Sequence, residues 1–252
     1  MRSVLIIAVL SVLSNTLPAE DAESIVWKAD DLLISPRTYS ESEITVYRSD
    51  KPRPTMRVET YDMRRADTGH SLTIYTAPAK MRGTAYLTIG DDLWVRFGST
   101  GRVRKLSSSA KKNSAGGTDF SYSDMGESGQ GVATKYIAKM GNSNAMCSGS
   151  SCWEIHLFPK PNTEGTYEKL VAFIAKENFH YLKIDYYEAG ANIKTLFLED
   201  YRAAGEKAYP YRVTMESHVK PSRTEVITTA IQFDSAKVQD SYFTTSYLQR
   251  IR

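Results

Sequence analysis

The chain has 252 residues, and 32 lysines and arginines against 29 aspartates and glutamates give a formal charge of +3. Both signs are interspersed along the chain, which argues against a nucleic-acid partner. Its length suffices to bury a sizeable core without disulfides, and 16 tyrosines with recurrent Thr and Val suit a pleated, half-buried surface.

Residues 1–19 read as a secretory leader that is removed on export. Arg2 supplies the positive end, Val4 to Leu13 is apolar apart from Ser11, and Leu17-Pro18-Ala19 offers a small residue for cleavage before Glu20. The apolar run is about half of the ~20 residues that a membrane-spanning helix needs. Residues 20–252 are then expected to form one exported domain.

In that domain Ala22, Ile25, Val26, Ala29, Leu32 and Leu33 recur at intervals of three and four, with Glu23, Lys28, Asp30 and Asp31 on the other side. The spacing predicts an amphipathic helix ended by Ser35-Pro36. From residue 41 the period becomes two. Strands are predicted around 56–60, 71–76, 84–89 and 93–97, joined by short Gly- and Asp-containing turns that make antiparallel neighbours. Further strands are predicted around 153–157, 168–176, 180–188, 192–201, 211–216 and 225–233. The expectation is one mostly antiparallel β domain of about ten strands, curled or closed to protect its edges.

Two stretches break the alternation. Residues 105–130 are rich in Ser and Gly yet keep Phe120, Tyr122 and Met125, which a wholly solvated loop rarely does. Tyr242, Phe243, Tyr247, Leu248 and Ile251 suggest a last short helix or strand packed back on the sheet. Cys147 and Cys152 flank a four-residue Gly/Ser loop, and in an oxidising compartment a local disulfide is expected between them.

No catalytic kit is visible. His70, His156, His180 and His218 fall on separate predicted strands without metal-ligand spacing, so no metal is expected. Ser107-Ser108-Ser109 lacks a nucleophile elbow, and Asp91-Asp92 and Glu199-Asp200 are neighbours that point to opposite strand faces. Gly98-Ser-Thr-Gly101 lacks the rest of a phosphate loop, so no cofactor is expected. The basic cluster Arg102, Arg104, Lys105, Lys111 and Lys112 reads as a solvated strand edge before it reads as an anion site. Aromatics such as Trp94 and Tyr86 have apolar neighbours behind them, and a sheet apolar on both faces needs cover on both, from the helix or an apolar ligand.

The run Tyr86-Leu-Thr-Ile-Gly-Asp-Asp-Leu-Trp94-Val-Arg-Phe-Gly-Ser-Thr-Gly-Arg-Val-Arg-Lys-Leu-Ser-Ser-Ser-Ala110, followed by Gly117-Thr-Asp-Phe-Ser-Tyr-Ser-Asp124, resembles the bacterial outer membrane lipoprotein-sorting protein family. These are relatives of the periplasmic lipoprotein carrier of the localisation pathway. About 40 residues carry the match. The chain departs from the family pattern at Phe97-Gly98, Ala115-Gly116 and Ser123.

The resemblance implies a half-open antiparallel β-barrel with an N-terminal helix and a short helical or loop lid over an apolar cavity. It implies a periplasmic, non-enzymatic protein that carries a lipid or lipoprotein acyl chain, with an inner-membrane resistance-nodulation-division-type exporter as a possible partner and no stable membrane insertion. The cavity and lid candidates are Ile25, Val26, Ala29, Leu33, Leu93, Trp94, Val95, Phe97, Phe120, Tyr122 and Met125. Other readings are a non-transporting envelope sensor or adaptor, an integral outer-membrane barrel, and an exported hydrolase whose His, Ser and carboxylate groups would have to converge from separate strands.

Overall fold

Helix α1 (Ala22–Leu33) begins where the side chain of Asp21 accepts the Ser24 N–H at 2.8 Å, an N-cap that satisfies one orphan donor of the first turn. Ile34 is already extended, and Ser35-Pro36 leads into the sheet. These facts come from a computed structural model, which describes residues 20–65, 68–126, 130–161, 163 and 167–251. The expected leader lies outside the described residues. Among the described residues, no helix is long and apolar enough to cross a membrane.

Among the described residues the sheet has 14 strands, all antiparallel: β1 (Arg37–Arg48), β2 (Lys51–Pro52), β3 (Met56–Arg65), β4 (Thr68–Ala77), β5 (Ala85–Ile89), β6 (Asp92–Arg96), β7 (Val103–Lys105), β8 (Tyr136–Cys147), β9 (Ser150–Pro159), β10 (Lys169–Ala175), β11 (Tyr181–Glu188), β12 (Ala191–Ala204), β13 (Lys207–Ser217) and β14 (Ser222–Phe233). Their spatial order is β7-β6-β5-β4-β3-β1-β14-β13-β12-β11-β10-β9-β8, with β2 added beside β1. Ten of these are the expected strands; the four extra ones are β1, β2, β7 and β8.

This order dictates the lid. Strands β7 and β8 follow each other in sequence but form opposite edges of the sheet. The described residues between them, 106–126 and 130–135, therefore lie across one face of the sheet from edge to edge. They do so through helix α2 (Ser108–Lys111), helix α3 (Tyr122–Gly126) and a short 3-10 turn at Val132–Thr134. Since β7 and β8 do not pair, the sheet is a half-open barrel.

Three large clusters fill the two faces. On the inner face, under the crossing segment, α1 buries Ile25, Val26 and Ala29 against Ile155, Leu157 and Met215 of the C-terminal strands. The N-terminal strands pack Ile44, Val58, Tyr75 and Tyr86 against Leu93, Val95, Tyr122 and Met125. On the outer face, Leu72 and Leu87 are covered by Val238, Phe243 and Leu248. The C-terminal segment, including helix α4 (Thr245–Arg250), thus covers the second apolar face, and neither α1 nor a ligand is needed there.

The expected disulfide is absent: Cys147 and Cys152 are both free and buried. The residues between them form a tight hairpin, with Ser148 at φ 50° and Gly149 at φ 81°, which are the left-handed values of a two-residue turn. Its register sets Cys147 opposite Ser150 and Cys152 opposite Ala145, so the thiols are diagonal neighbours rather than a directly opposed pair. Both pack with Ala145 against Phe173 and Leu182.

Candidate functional site: a roofed apolar cavity

A cavity of about 230 Å³ lies between the C-terminal end of α1, the crossing segment and the sheet. Leu33 and Ile34 form its roof beside Phe120 and Val132, and its floor includes Ile184, Leu196, Leu198 and Val213. Polar groups sit at the margins: Thr38, Ser40 and Asp62 on β1 and β3, and Asp30 and Asp124 on the lid side. The volume equals roughly eight water molecules at ~30 Å³ each. An apolar lining with a few convergent polar groups is the usual character of a small-molecule site.

Two carboxylates hold the roof. Asp30 is buried, and it accepts from the Ala133 N–H and the Tyr181 hydroxyl, each at 2.8 Å. It thereby joins α1 to both the end of the lid and strand β11. Burial pushes its pKa up from 3.8 to about 6, even though the hydrogen bonds from Ala133, Tyr181 and Val132 and the charge of Arg64 pull the other way. Gly131 makes this junction possible. Its φ is +75°, and a Cβ there would lie 2.5 Å from Asp30 Oδ2 and 2.8 Å from Ile34 Cδ1.

Asp119 fixes the middle of the lid to the central strands. Its carboxylate accepts from the Thr224 hydroxyl at 2.7 Å and from Ser222, and ion pairs reach it from Arg48 at 3.0 Å and Lys220 at 3.1 Å. The Asp119 N–H in turn donates to Thr224 Oγ1 at 2.8 Å. Burial alone would raise this pKa, but the bonds from Ser222, Thr224, Arg48 and Lys220 win and hold it below the usual carboxylate range.

Asp124 adds a third tie. The Ser121 N–H donates to its carboxylate at 2.6 Å and the Asp124 N–H donates to the Ser121 hydroxyl at 3.1 Å, a reciprocal cap for the short α3. Asp124 also takes a bond from Tyr167 at 2.9 Å and pairs with Lys194, whose ammonium lies 4.9 and 5.0 Å from the Tyr167 and Tyr186 ring centres. The Gly117–Asp124 motif is therefore mainly an anchoring device.

Of the residues singled out from the sequence, Leu33 and Phe120 reach the cavity. Ile25, Val26 and Ala29 are core residues that seat the helix. Leu93, Val95, Tyr122 and Met125 lie on the inner face but in the packed N-terminal cluster. Trp94 points to the outer face with the Lys105 ammonium 5.3 Å from its ring, and Phe97 is 40% exposed in a turn. The Tyr181, Leu196, Leu198 and Val213 lining was missed, although alternation in strands β11 to β13 offered a signal.

The basic cluster does not converge on an anion: Lys105 pairs with Asp92, Lys112 pairs with Glu188, and Lys111 is buried on the Asp91 carbonyl. Asp185 on β11, Thr195 on β12 and His218 in the turn after β13 do converge, with the Thr195 hydroxyl 2.7 Å from Asp185 and 2.9 Å from His218 Nε2. That hydroxyl has one proton and gives it to Asp185, so His218 must donate to it and is not placed as its base. Among the described residues, no group of three or more His, Cys, Asp or Glu is placed to hold a metal ion.

This architecture is an open, antiparallel half-barrel with helices and a crossing segment over one face. A family model described as "uncharacterized protein" matches residues 67–250, and the chain belongs to that family. Three solved structures share the fold. A DUF1329 family protein from Desulfovibrio piger has a TM-score of 0.81 at 24% identity, over 90% of this chain and 97% of its own. An outer membrane lipoprotein-sorting protein domain from Vibrio parahaemolyticus has a TM-score of 0.81 at 22% identity, over 91% and 98%. A LolA superfamily protein from Nitrosomonas europaea has a TM-score of 0.76 at 21% identity, over 91% and 100%. No curated protein matches.

Proposed function

We propose that this protein is a periplasmic carrier whose cavity receives an acyl chain of a lipid or lipoprotein, without catalysing a reaction. The supporting observation is the apolar volume roofed by α1 and latched at Asp30. Each buried methylene contributes about 0.8 kcal/mol, so a chain of moderate length binds without any charge contact. At about 230 Å³ the cavity is below the ~300–1,000 Å³ usual for small-molecule pockets, so a full chain enters as the roof lifts. Native mass spectrometry of exported protein, purified without detergent, tests this: acyl-lipid adducts are expected, and uniformly ligand-free protein from cells rich in lipid contradicts it.

The modest resting volume supports a second reading, an envelope sensor or adaptor of the same fold that acts with an inner-membrane exporter or regulator. The two separate on exchange of labelled lipid between vesicles, which a carrier accelerates and an adaptor does not.

A further inference from the structure

A second concavity lies on the outward side of α1, where an open groove of about 540 Å³ runs between the helix, the end of β3 and the turn before β11. Its lining includes Trp27, Lys28, Arg64 and Phe179 together with the carboxylates of Asp30 and Asp31, and Trp27 is 43% exposed. The two cations differ. Lys28 pairs with Glu20 and sits 4.8 Å from the Phe179 ring centre. The Arg64 guanidinium lies 5.8 Å from the Trp27 ring centre, and its charge acts on Asp30, but among the described residues no carboxylate or carbonyl accepts a hydrogen bond from it. A half-buried arginine in an aromatic groove with unspent donors is suited to an anion with oxygen acceptors.

The groove and the cavity adjoin. Asp30 borders both, and Asp62 and Arg64 are alternate residues on the inner face of β3, one lining the cavity and the other the groove. Two residues along a strand span about 7 Å. A molecule with its chain in the cavity thus brings its polar end to Arg64 without extra reach.

We infer that the Trp27–Arg64–Phe179 groove is the headgroup subsite of the carrier, selecting amphiphiles whose polar end is an anion, a carboxylate or a phosphate. This inference rests on the carrier reading above and adds its headgroup chemistry. Trp27 and Phe179 flank the ion pair, and Arg64 supplies two parallel donors.

The test uses the full exported chain with cis-parinaric acid and its methyl ester, two fluorescent probes that share one chain and differ in charge. The native protein is expected to prefer the acid by about tenfold, the equivalent of one charge-assisted bond. In Arg64→Ala that preference collapses, and in Arg64→Lys much of it returns. Unfolding midpoints recorded on the same samples show that both variants fold. Failure of the native protein to bind either probe overturns both readings. Equal binding of acid and ester, or a preference that survives in Arg64→Ala, overturns the headgroup subsite and leaves the carrier standing. Displacement of the acid by millimolar inorganic phosphate with no ester binding assigns the groove to a free anion and also overturns the inference.

Discussion

The Tyr181 hydroxyl donates to Asp30 Oδ1 across 2.8 Å, with both residues buried, so strand β11 grips the roof helix by its one buried carboxylate. The same carboxylate takes the Ala133 N–H, and one side chain therefore closes helix, lid and sheet together.

That junction responds to pH. The folded protein raises the Asp30 pKa to about 6 from 3.8, so it binds this proton more tightly than the unfolded chain does. The stabilisation is complete below about pH 4 and is lost as the pH rises through about 6, on the order of 3 kcal/mol. Asp30→Asn should remove that slope in urea unfolding followed from pH 4.5 to 7.5, while the native protein loses stability over the same interval. An unchanged slope in the variant would refute the assignment.

Asp119 titrates in the opposite sense. Its folded pKa is depressed, so its contribution is present above about pH 4 and disappears as the pH falls through the folded value. Asp119→Ala removes the acceptor shared by Arg48, Lys220, Ser222 and Thr224 and should cost on the order of 2–3 kcal/mol. Amide hydrogen exchange should show faster exchange in residues 113–121 with little change in β5 and β6.

Lys194 and Asp124 form a nearly enclosed ion pair, with side chains 9% and 4% exposed. Lys194→Ala leaves a buried carboxylate without its cation, at a cost of about 3–5 kcal/mol. Lys194→Met combined with Asp124→Asn should recover most of that loss. A double variant no more stable than Lys194→Ala would mean that the pair is not a unit.

Filling the cavity should block binding and leave the fold intact. Val213 lines the floor and is not part of the tightly packed core. In Val213→Trp, affinity for parinaric acid should fall by at least about tenfold, while the thermal midpoint stays within a few degrees. Undiminished binding would place the chain elsewhere.

Local periodicity made much of the fold legible. Helix α1 follows from the recurrence of Ala22, Ile25, Val26 and Ala29, and ten strands follow from alternation. Strand β8 was hidden because Gly141-Asn-Ser-Asn144 has poor strand propensity, and because it lies on a sheet edge with register shifts between Met140 and Ala145. The cavity was harder to find. Asp30 belongs by spacing to the polar side of α1, yet it is buried, since its partners come from residues 133 and 181, more than 100 positions away. The Gly117–Asp124 motif marked the right segment, but its roles as anchor for Asp119 and cap for Asp124 depend on strands that no local pattern links to it.

The most direct test of the cavity is methyl NMR on protein titrated with a fatty acid that carries a nitroxide near its chain end. Relaxation from the nitroxide should broaden the methyl signals of Leu33, Leu196, Leu198 and Val213 and spare those of Leu93 and Val95 in the packed N-terminal cluster. Equal broadening of both sets, or broadening confined to exposed methyls, would contradict an acyl chain beneath the first helix.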